Sequence, residues 1–404
     1  MTRVATGWLV YRLTGSSVLL GTVSFVGQVP AFFLGPLAGV LVDRWDRHRT
    51  LVITQVLSMV QSLVLAGLAL AGVITVWHIV LLALMQGFIN AFDMPARQSF
   101  VVQMVDDRAD LPNAIALNSS MVNAARLVGP ALAGVIIAAV GEGYCFLLDG
   151  ISYIAVIASL VLMRISVRVA RKQGGEIWHE LNEGWRYVSG SVPIRSILLL
   201  LGVASLAGMP YTVLMPVIVA EVLHGGPHTL GFLMAASGVG ALAGAVTLAV
   251  RRTVLGLGMR IAVCSGLFGV ALIALGLSRS LWVSLLILPV IGFAMMQHMA
   301  SSNTILQTIV DDEKRGRVMA FYSMAFQGMA PFGSLMAGAI AARIGAPETI
   351  TFSGVICIAG CAWFARRLPE IRKLVRPVYV RLGILPEAAA GVHQASALKA
   401  PEAS

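Results

Sequence analysis

The sequence predicts an all-α membrane protein built from two parallel six-helix halves. Three observations carry that reading. Apolar runs long enough to cross a bilayer recur along the whole chain. The cations collect in alternate gaps between those runs. The second half repeats the first at a nearly constant offset. The 404 residues are 58% hydrophobic and only 12% charged, against about 25% charged in a typical soluble domain. This composition excludes a soluble enzyme, a disordered regulator and a nucleic-acid-binding protein, despite a net charge of +10. Outer-membrane barrels read as alternating segments of about 10 residues, whereas a spanning helix needs about 20 apolar residues in a row. The 41 glycines suit close helix packing in lipid.

Taken in order, the spans fall near residues 17–42, 50–71, 76–96, 113–140, 144–163, 196–221, 229–250, 261–277, 281–303, 317–342 and 347–365, with a partial span at 1–13. One set of alternate gaps, with the C-terminal tail, holds 24 of the 29 Lys and Arg residues, and the other holds only Arg12, Arg279 and Arg343. Cationic loops stay cytoplasmic, so the central loop and the C-terminus are expected inside.

The repeat is read from paired positions. Gly35-x-Leu37-Ala38-Gly39 matches Gly240-x-Leu242-Ala243-Gly244, Gly87-Phe88 matches Gly292-Phe293, and Val105-Asp106-Asp107 matches Val310-Asp311-Asp312, all at 205 residues. Ser119, Gly134 and Gly141 match Ser323, Gly338 and Gly345 at 204. Both copies keep one orientation, so each holds an even number of spans, an architecture of secondary transporters. At that offset the partner of a seventh span starting near 196 would begin about nine residues before Met1. Twelve spans with a truncated first one are therefore expected. The halves are placed at 1–163 and 196–365, joined by a loop at 164–195 and followed by a basic, partly disordered tail at 366–404. Within the loop, Ile177, Trp178, Leu181, Trp185 and Val188 share one helical face and predict a short interfacial helix.

Several polar residues carry candidate chemistry. In the loop after the 17–42 span, Gly39 and Asp43 precede Arg44, Arg47 and Arg49. A carboxylate at a helix end can dock on a neighbouring helix N-terminus, and arginines can pair with carboxylates. Contacts of this kind, made in one conformation and broken in another, form a latch. The plainer alternative is that the arginines only set topology. The 113–140 span carries Ser119, Asn123, Arg126 and Pro130 on one face, with Gly129 and Gly134 beside the proline. Proline frees a backbone carbonyl and permits a bend. An arginine at mid-span costs about 2.5–3.5 kcal/mol on insertion scales, so Arg126 should face a cavity or a partner. Gln327 occupies the corresponding stretch of the second half, and His298 stands 205 residues after Asp93. Asp93, near one end of its span, and Asp149, near the other end of the next-but-one, either bind a proton or make a structural contact. Together Asp93, Asn123, Arg126, Asp149, His298 and Gln327 form the candidate substrate and proton path.

No Gly-rich phosphate loop followed by Lys-Ser or Lys-Thr is present, so no ATPase module is expected. Cys357 and Cys361 share a face without a His or carboxylate to complete a metal site. No catalytic constellation stands out, and neither an enzymatic activity nor a cofactor is expected.

The loop Gly35-Pro36-Leu37-Ala38-Gly39-Val40-Leu41-Val42-Asp43-Arg44-Trp45-Asp46-Arg47-His48-Arg49 resembles the signature loop of the major facilitator superfamily, with Asp46 where a second glycine is usual. Gly129-Pro130 and Gly134 resemble the bend motif of that superfamily's exporters. Asn90 to Gln98, Asp110 to Ser119 and Asp312-x-x-x-Gly316-Arg317-Val318 resemble the branch that includes the bacterial enterobactin exporter. The resemblance implies the major facilitator fold in a bacterial inner membrane. It further implies alternating access and efflux of a small amphiphilic molecule, such as a drug, a siderophore or a secreted metabolite. Protons would drive the transport, and lipid, substrate and protons would be the partners of a monomer that binds no nucleic acid. A proton-coupled importer on the same fold and a non-transporting membrane sensor or scaffold remain the alternatives.

Overall fold

The computed structural model describes residues 1–104, 111–163, 177–251 and 253–382, apart from some side chains within them. Its helices are α1 (Thr2–Thr14), α2 (Ser17–Val26), α3 (Val29–Arg44), α4 (Arg47–Leu70), α5 (Val76–Gln103), α6 (Leu111–Val140), α7 (Glu142–Leu162) and α8 (Ile177–Gly190). They continue with α9 (Val192–Val203), α10 (Tyr211–Val217), α11 (Pro227–Ala249), α12 (Leu257–Leu277), α13 (Leu281–Ile309), α14 (Asp312–Ser323), α15 (Met329–Ile344) and α16 (Ala346–Arg381). Among the described residues, nine helical stretches are long and apolar enough to cross a membrane by themselves. Alpha-helices are the natural spanning form because lipid offers no partner to backbone polar groups.

Three columns expected as single spans are interrupted, and prolines account for the breaks. The 17–42 column divides into α2 and α3 just before Pro30. The column of α9 and α10 contains the π-helical turn Ala204–Gly208 ahead of Pro210, and the column of α14 and α15 contains Met324–Gly328 ahead of Pro331. Proline cannot bond the carbonyl four residues back, which frees Leu206 and Gln327. The Leu206 carbonyl faces Gly333 of α15 so closely that no side chain fits there. Two such turns meet where the Ser205 hydroxyl donates to the Phe326 carbonyl.

α16 extends past the expected end of its span, through Pro369 and Pro377, to Arg381. Leu368, Ile371 and Val375 recur on one face and are buried against Val188, Ile194, Ile309 and Val310, which keeps the basic stretch helical. Residues 164–176 of the central loop and 383–404 of the tail lie outside the described residues.

α8 marks one end of the bundle. There Glu183 pairs with Arg317 at 2.5 Å, Trp185 packs on Phe321, and Lys314 lies 4.7 Å over the ring of Tyr187. At the opposite end Trp77 and Trp282, at the starts of α5 and α13, are each 76% exposed, as expected of aromatic residues at a membrane surface.

The hydrophobic core is continuous near that opposite end, joining Leu9, Phe146, Leu214, Leu233 and Leu272 across the two sets of helices. Towards the α8 end it separates. Val42, Leu51, Ala96, Phe100 and Leu160 form one cluster in α3–α7, and Ile194, Leu257, Ile305 and Phe364 belong to another in the later helices.

Candidate functional site

Two glycine crossings hold the helix sets together at the end away from α8. A Cβ built on Gly134 of α6 would lie 2.7 Å from the Cα of Gly231 in α11. One on Gly21 of α2 would lie 2.5 Å from the Ser334 carbonyl oxygen and 3.2 Å from the Cα of Gly338. Small residues let backbones approach in this way. The Ser17 hydroxyl adds a bond to the Gly338 carbonyl at 3.1 Å, and the Tyr11 hydroxyl donates to Glu221 at 2.7 Å. Arg12 pairs with the buried Glu142 at 3.0 Å. Phe332 of α15 packs on Phe25 and Phe32, nearer the middle. Beyond that point, towards α8, the buried core among the described residues is two separate clusters, one in each helix set.

Gln327 lies in the π-helical turn before Pro331 and is exposed. Asn123 and Arg126 lie on α6, with their side chains outside the described residues. Pro130 lies within α6, and its carbonyl oxygen is 2.8 Å from where a Cβ of Gly231 would be. Gly129 is free of close helix contact, the nearest atom to an added Cβ being the Met1 nitrogen at 3.8 Å. Gly134 is thus the crossing residue of the bend motif.

In the basic loop the Asp43 and Arg44 side chains lie outside the described residues, and a Cβ on Gly39 would meet nothing within 4 Å. Asp46 caps α4 by accepting from the backbone of His48 and Arg49 at 2.9 and 3.2 Å. The exposed Arg49 pairs with Asp46 at 3.5 Å, while Arg47 also has a partner. Trp45 stacks on Phe92, and the His48 ring is 2.7 Å from the Leu160 carbonyl. Sequence reasoning did not single out Trp45 or His48 as anchors, because their partners lie about 50 and 110 residues away.

Asp93 and Asp149 share a neighbour, α4. Its buried face carries Thr54, Gln55, Ser58, Gln61 and Ser62, and its lipid face carries Ile53, Leu57, Val60 and Val64. Asp93 accepts from Thr54 at 2.9 Å and Gln55 at 2.7 Å, and pairs with Arg97 at 2.9 Å. Asp149 accepts from Ser62 at 2.8 Å. The polar stripe on α4 was legible as a 3- and 4-residue spacing of hydroxyl and amide side chains inside an apolar run.

His298 of α13 is fully buried, and neither ring nitrogen has a hydrogen-bond partner among the described residues. Its neighbour Gln297 donates to the Gly244 carbonyl at 2.7 Å and to Thr247 at 2.5 Å. The structure therefore does not join His298 to Asp93, and each stays within its own helix set.

The family described as transmembrane secretion effector matches this chain over residues 1–377. The chain is 26% identical to the staphyloferrin A transporter of Staphylococcus aureus (strain NCTC 8325 / PS 47) over 374 residues, covering 92% of this chain and 93% of the relative. It is 25% identical to the multidrug efflux pump Tap of Mycolicibacterium fortuitum, covering 93% of each. It is 22% identical to the macrolide efflux protein A of Streptococcus pyogenes, covering 89% of this chain and 90% of the relative. Among solved structures, the inward-open xylose transporter XylE of E. coli superposes with a TM-score of 0.69 at 14% identity, covering 92% of this chain and 96% of that one. A bacterial homologue of the human lysosomal transporter Spinster, inward-facing and unoccupied, gives 0.63 at 15% identity with 96% of each chain covered.

Proposed function

The chain belongs to the transmembrane secretion effector family, in an efflux branch of the major facilitator superfamily, and from that premise we propose that it exports small amphiphilic molecules by proton-driven alternating access. It is a multi-pass membrane transporter, and the proposal concerns direction, driving force and substrate. The observation that carries it is the closed pair of glycine crossings at the end away from α8, together with a buried core that, among the described residues, is shared there and divided between the helix sets towards α8. The α8 end is also the end of the basic gaps in the sequence, so the positive-inside rule supports a cavity open to the cytoplasm. An exporter in this state is ready to load. Relatives named for staphyloferrin A, macrolides and multiple drugs support an amphiphilic cargo of drug or siderophore type.

Arg126, Asn123 and Gln327 are assigned to the cavity, and Asp93 and Asp149 to proton handling. The loop from Gly39 to Arg49, with Asp43, Arg44 and Arg47, is assigned to a latch that closes the cytoplasmic end. The test is efflux of a panel of siderophores, macrolides and dyes from cells lacking or overexpressing the protein, with and without an uncoupler. Uncoupler-sensitive export of at least one compound is expected. Equal retention of every compound, with the protein verified in the membrane, would overturn export and favour import or a non-transporting role.

A further inference from the structure

We propose that the C-terminal extension of α16 docks anionic phospholipid headgroups in the membrane leaflet at the α8 end, through a face formed by Arg366, Lys373 and Arg376. The inference is independent of the direction and driving force of transport. Residues 366–381 hold six cations, Arg366, Arg367, Arg372, Lys373, Arg376 and Arg381, against one acid, Glu370. A basic cluster that directly follows a spanning helix attracts anionic lipid.

The fold decides which way those charges face. Leu368, Ile371 and Val375 turn one side of the extension into the protein. Arg366, Lys373 and Arg376, spaced by seven and three residues, lie on the opposite side and are exposed, with the exposed Arg372 beside them. Arg381 lies off that face and pairs with Asp311 at 3.3 Å. Cations that only set topology need share no face, whereas these do.

Packing also fixes their depth. A Cβ on Gly258, in the first turn of α12, would lie 3.1 Å from Cδ1 of Leu368. Ile371 and Val375 are buried with Ile194, in the first turn of α9, and with Ile309, the last residue of α13. The basic face is therefore level with the ends of three spans and does not project freely into solvent. α13 has 29 residues, about 44 Å of helix at 1.5 Å per residue, against about 30 Å of hydrocarbon. Its ends thus reach the headgroup region, and the α16 extension lies beside one of them. Trp363 supports that depth: its ring lies 5.2 Å from the Arg367 guanidinium carbon, one turn before the basic face, as an aromatic anchor at the membrane surface would. At headgroup level the complement of four exposed cations is a lipid carrying net negative charge. A zwitterionic lipid offers the same phosphate with an ammonium of like charge beside it.

The test needs no substrate. Full-length protein is placed in phosphatidylcholine nanodiscs doped with acyl-brominated phosphatidylglycerol or, separately, acyl-brominated phosphatidylcholine. Bromine quenches nearby tryptophan, and subtracting the signal of Trp363→Phe isolates the emission of Trp363. Brominated phosphatidylglycerol should quench it at a lower mole fraction than brominated phosphatidylcholine. One surface cation is worth about 5-fold in binding an anionic membrane. The triple variant Arg366→Gln, Lys373→Gln and Arg376→Gln should therefore lower the preference by at least about 5-fold. Arg381→Gln, off the face, should leave it unchanged, and the charge-keeping pair Arg366→Lys with Arg376→Lys should retain it. Added salt should weaken it, since exposed charges are screened beyond about 10 Å at 0.1 M. Equal quenching by the two lipids in the wild type would overturn lipid docking and leave the basic face to a soluble acidic partner. A preference untouched by the triple substitution or by salt, or one lost in the charge-keeping pair, would overturn it as well.

Discussion

Gly134 and Gly231 occupy each other's missing side-chain space: a Cβ on either would lie 2.7 Å from the Cα of the other. Because the nearest atoms are backbone, no rotamer change relieves the clash. Gly134→Ala should therefore disfavour closure at the end away from α8 by about 1–3 kcal/mol, about a 5- to 150-fold change in the balance of states. Spin-label distances between α2 and α15 at that end should lengthen. An unchanged distance distribution would show that the crossing is not a closure contact.

Asp93 and Arg97 form one pair but should contribute unequally. Asp93→Ala strips an acceptor from Thr54, Gln55 and Arg97 inside the helix set, at about 1–3 kcal/mol for each buried donor left unmade. Arg97→Ala removes a side chain 56% exposed, worth about 0–1 kcal/mol. Thermal unfolding in detergent should show the larger loss for Asp93→Ala, and equal losses would contradict the packing described for α4 and α5.

The docking of α8 should depend on packing more than on charge. A Cβ on Gly184 would lie 3.0 Å from Cε2 of Phe321 and 3.3 Å from the Arg317 Cβ. Gly184→Leu should lift α8, at about 1–3 kcal/mol, and speed protease cleavage there. Glu183→Ala breaks a half-exposed ion pair worth about 0–1 kcal/mol and should change cleavage little. The opposite ranking would make the ion pair the anchor.

Tyr187, on α8, has its phenol raised from the ordinary value of 10.0, first by burial and then by the nearby Asp311 carboxylate. A raised folded value favours the neutral phenol. Its stabilisation is full below the unfolded value and is lost as pH rises through the folded one. A difference titration of wild type against Tyr187→Phe should place the phenol above 10.0, and Asp311→Asn should bring it down. Titration at or below the ordinary value would remove both causes.

Arg126→Ala should abolish efflux of at least one compound that the wild type exports, since an arginine at that depth needs a cavity or partner to offset its insertion cost. Wild-type efflux of every such compound at equal expression would remove Arg126 from the path.

Much of the fold was already legible in the amino-acid order. Burial in lipid demands long apolar helices, so spans such as 50–71 and 281–303 could be read from run length, and the 205-residue offset survives in pairs such as Trp77 and Trp282. The candidate carboxylates stood out because charge is costly inside a membrane. What the sequence left open was which residues meet. Gly134, read as part of a bend, also makes a crossing with Gly231, and Asp93 and Asp149 both bond to the buried stripe of α4. Hydropathy depends on each residue's own transfer to lipid and is additive along the chain. Contacts between helices depend on the rotation and depth of two distant segments at once, and only tertiary packing settles those.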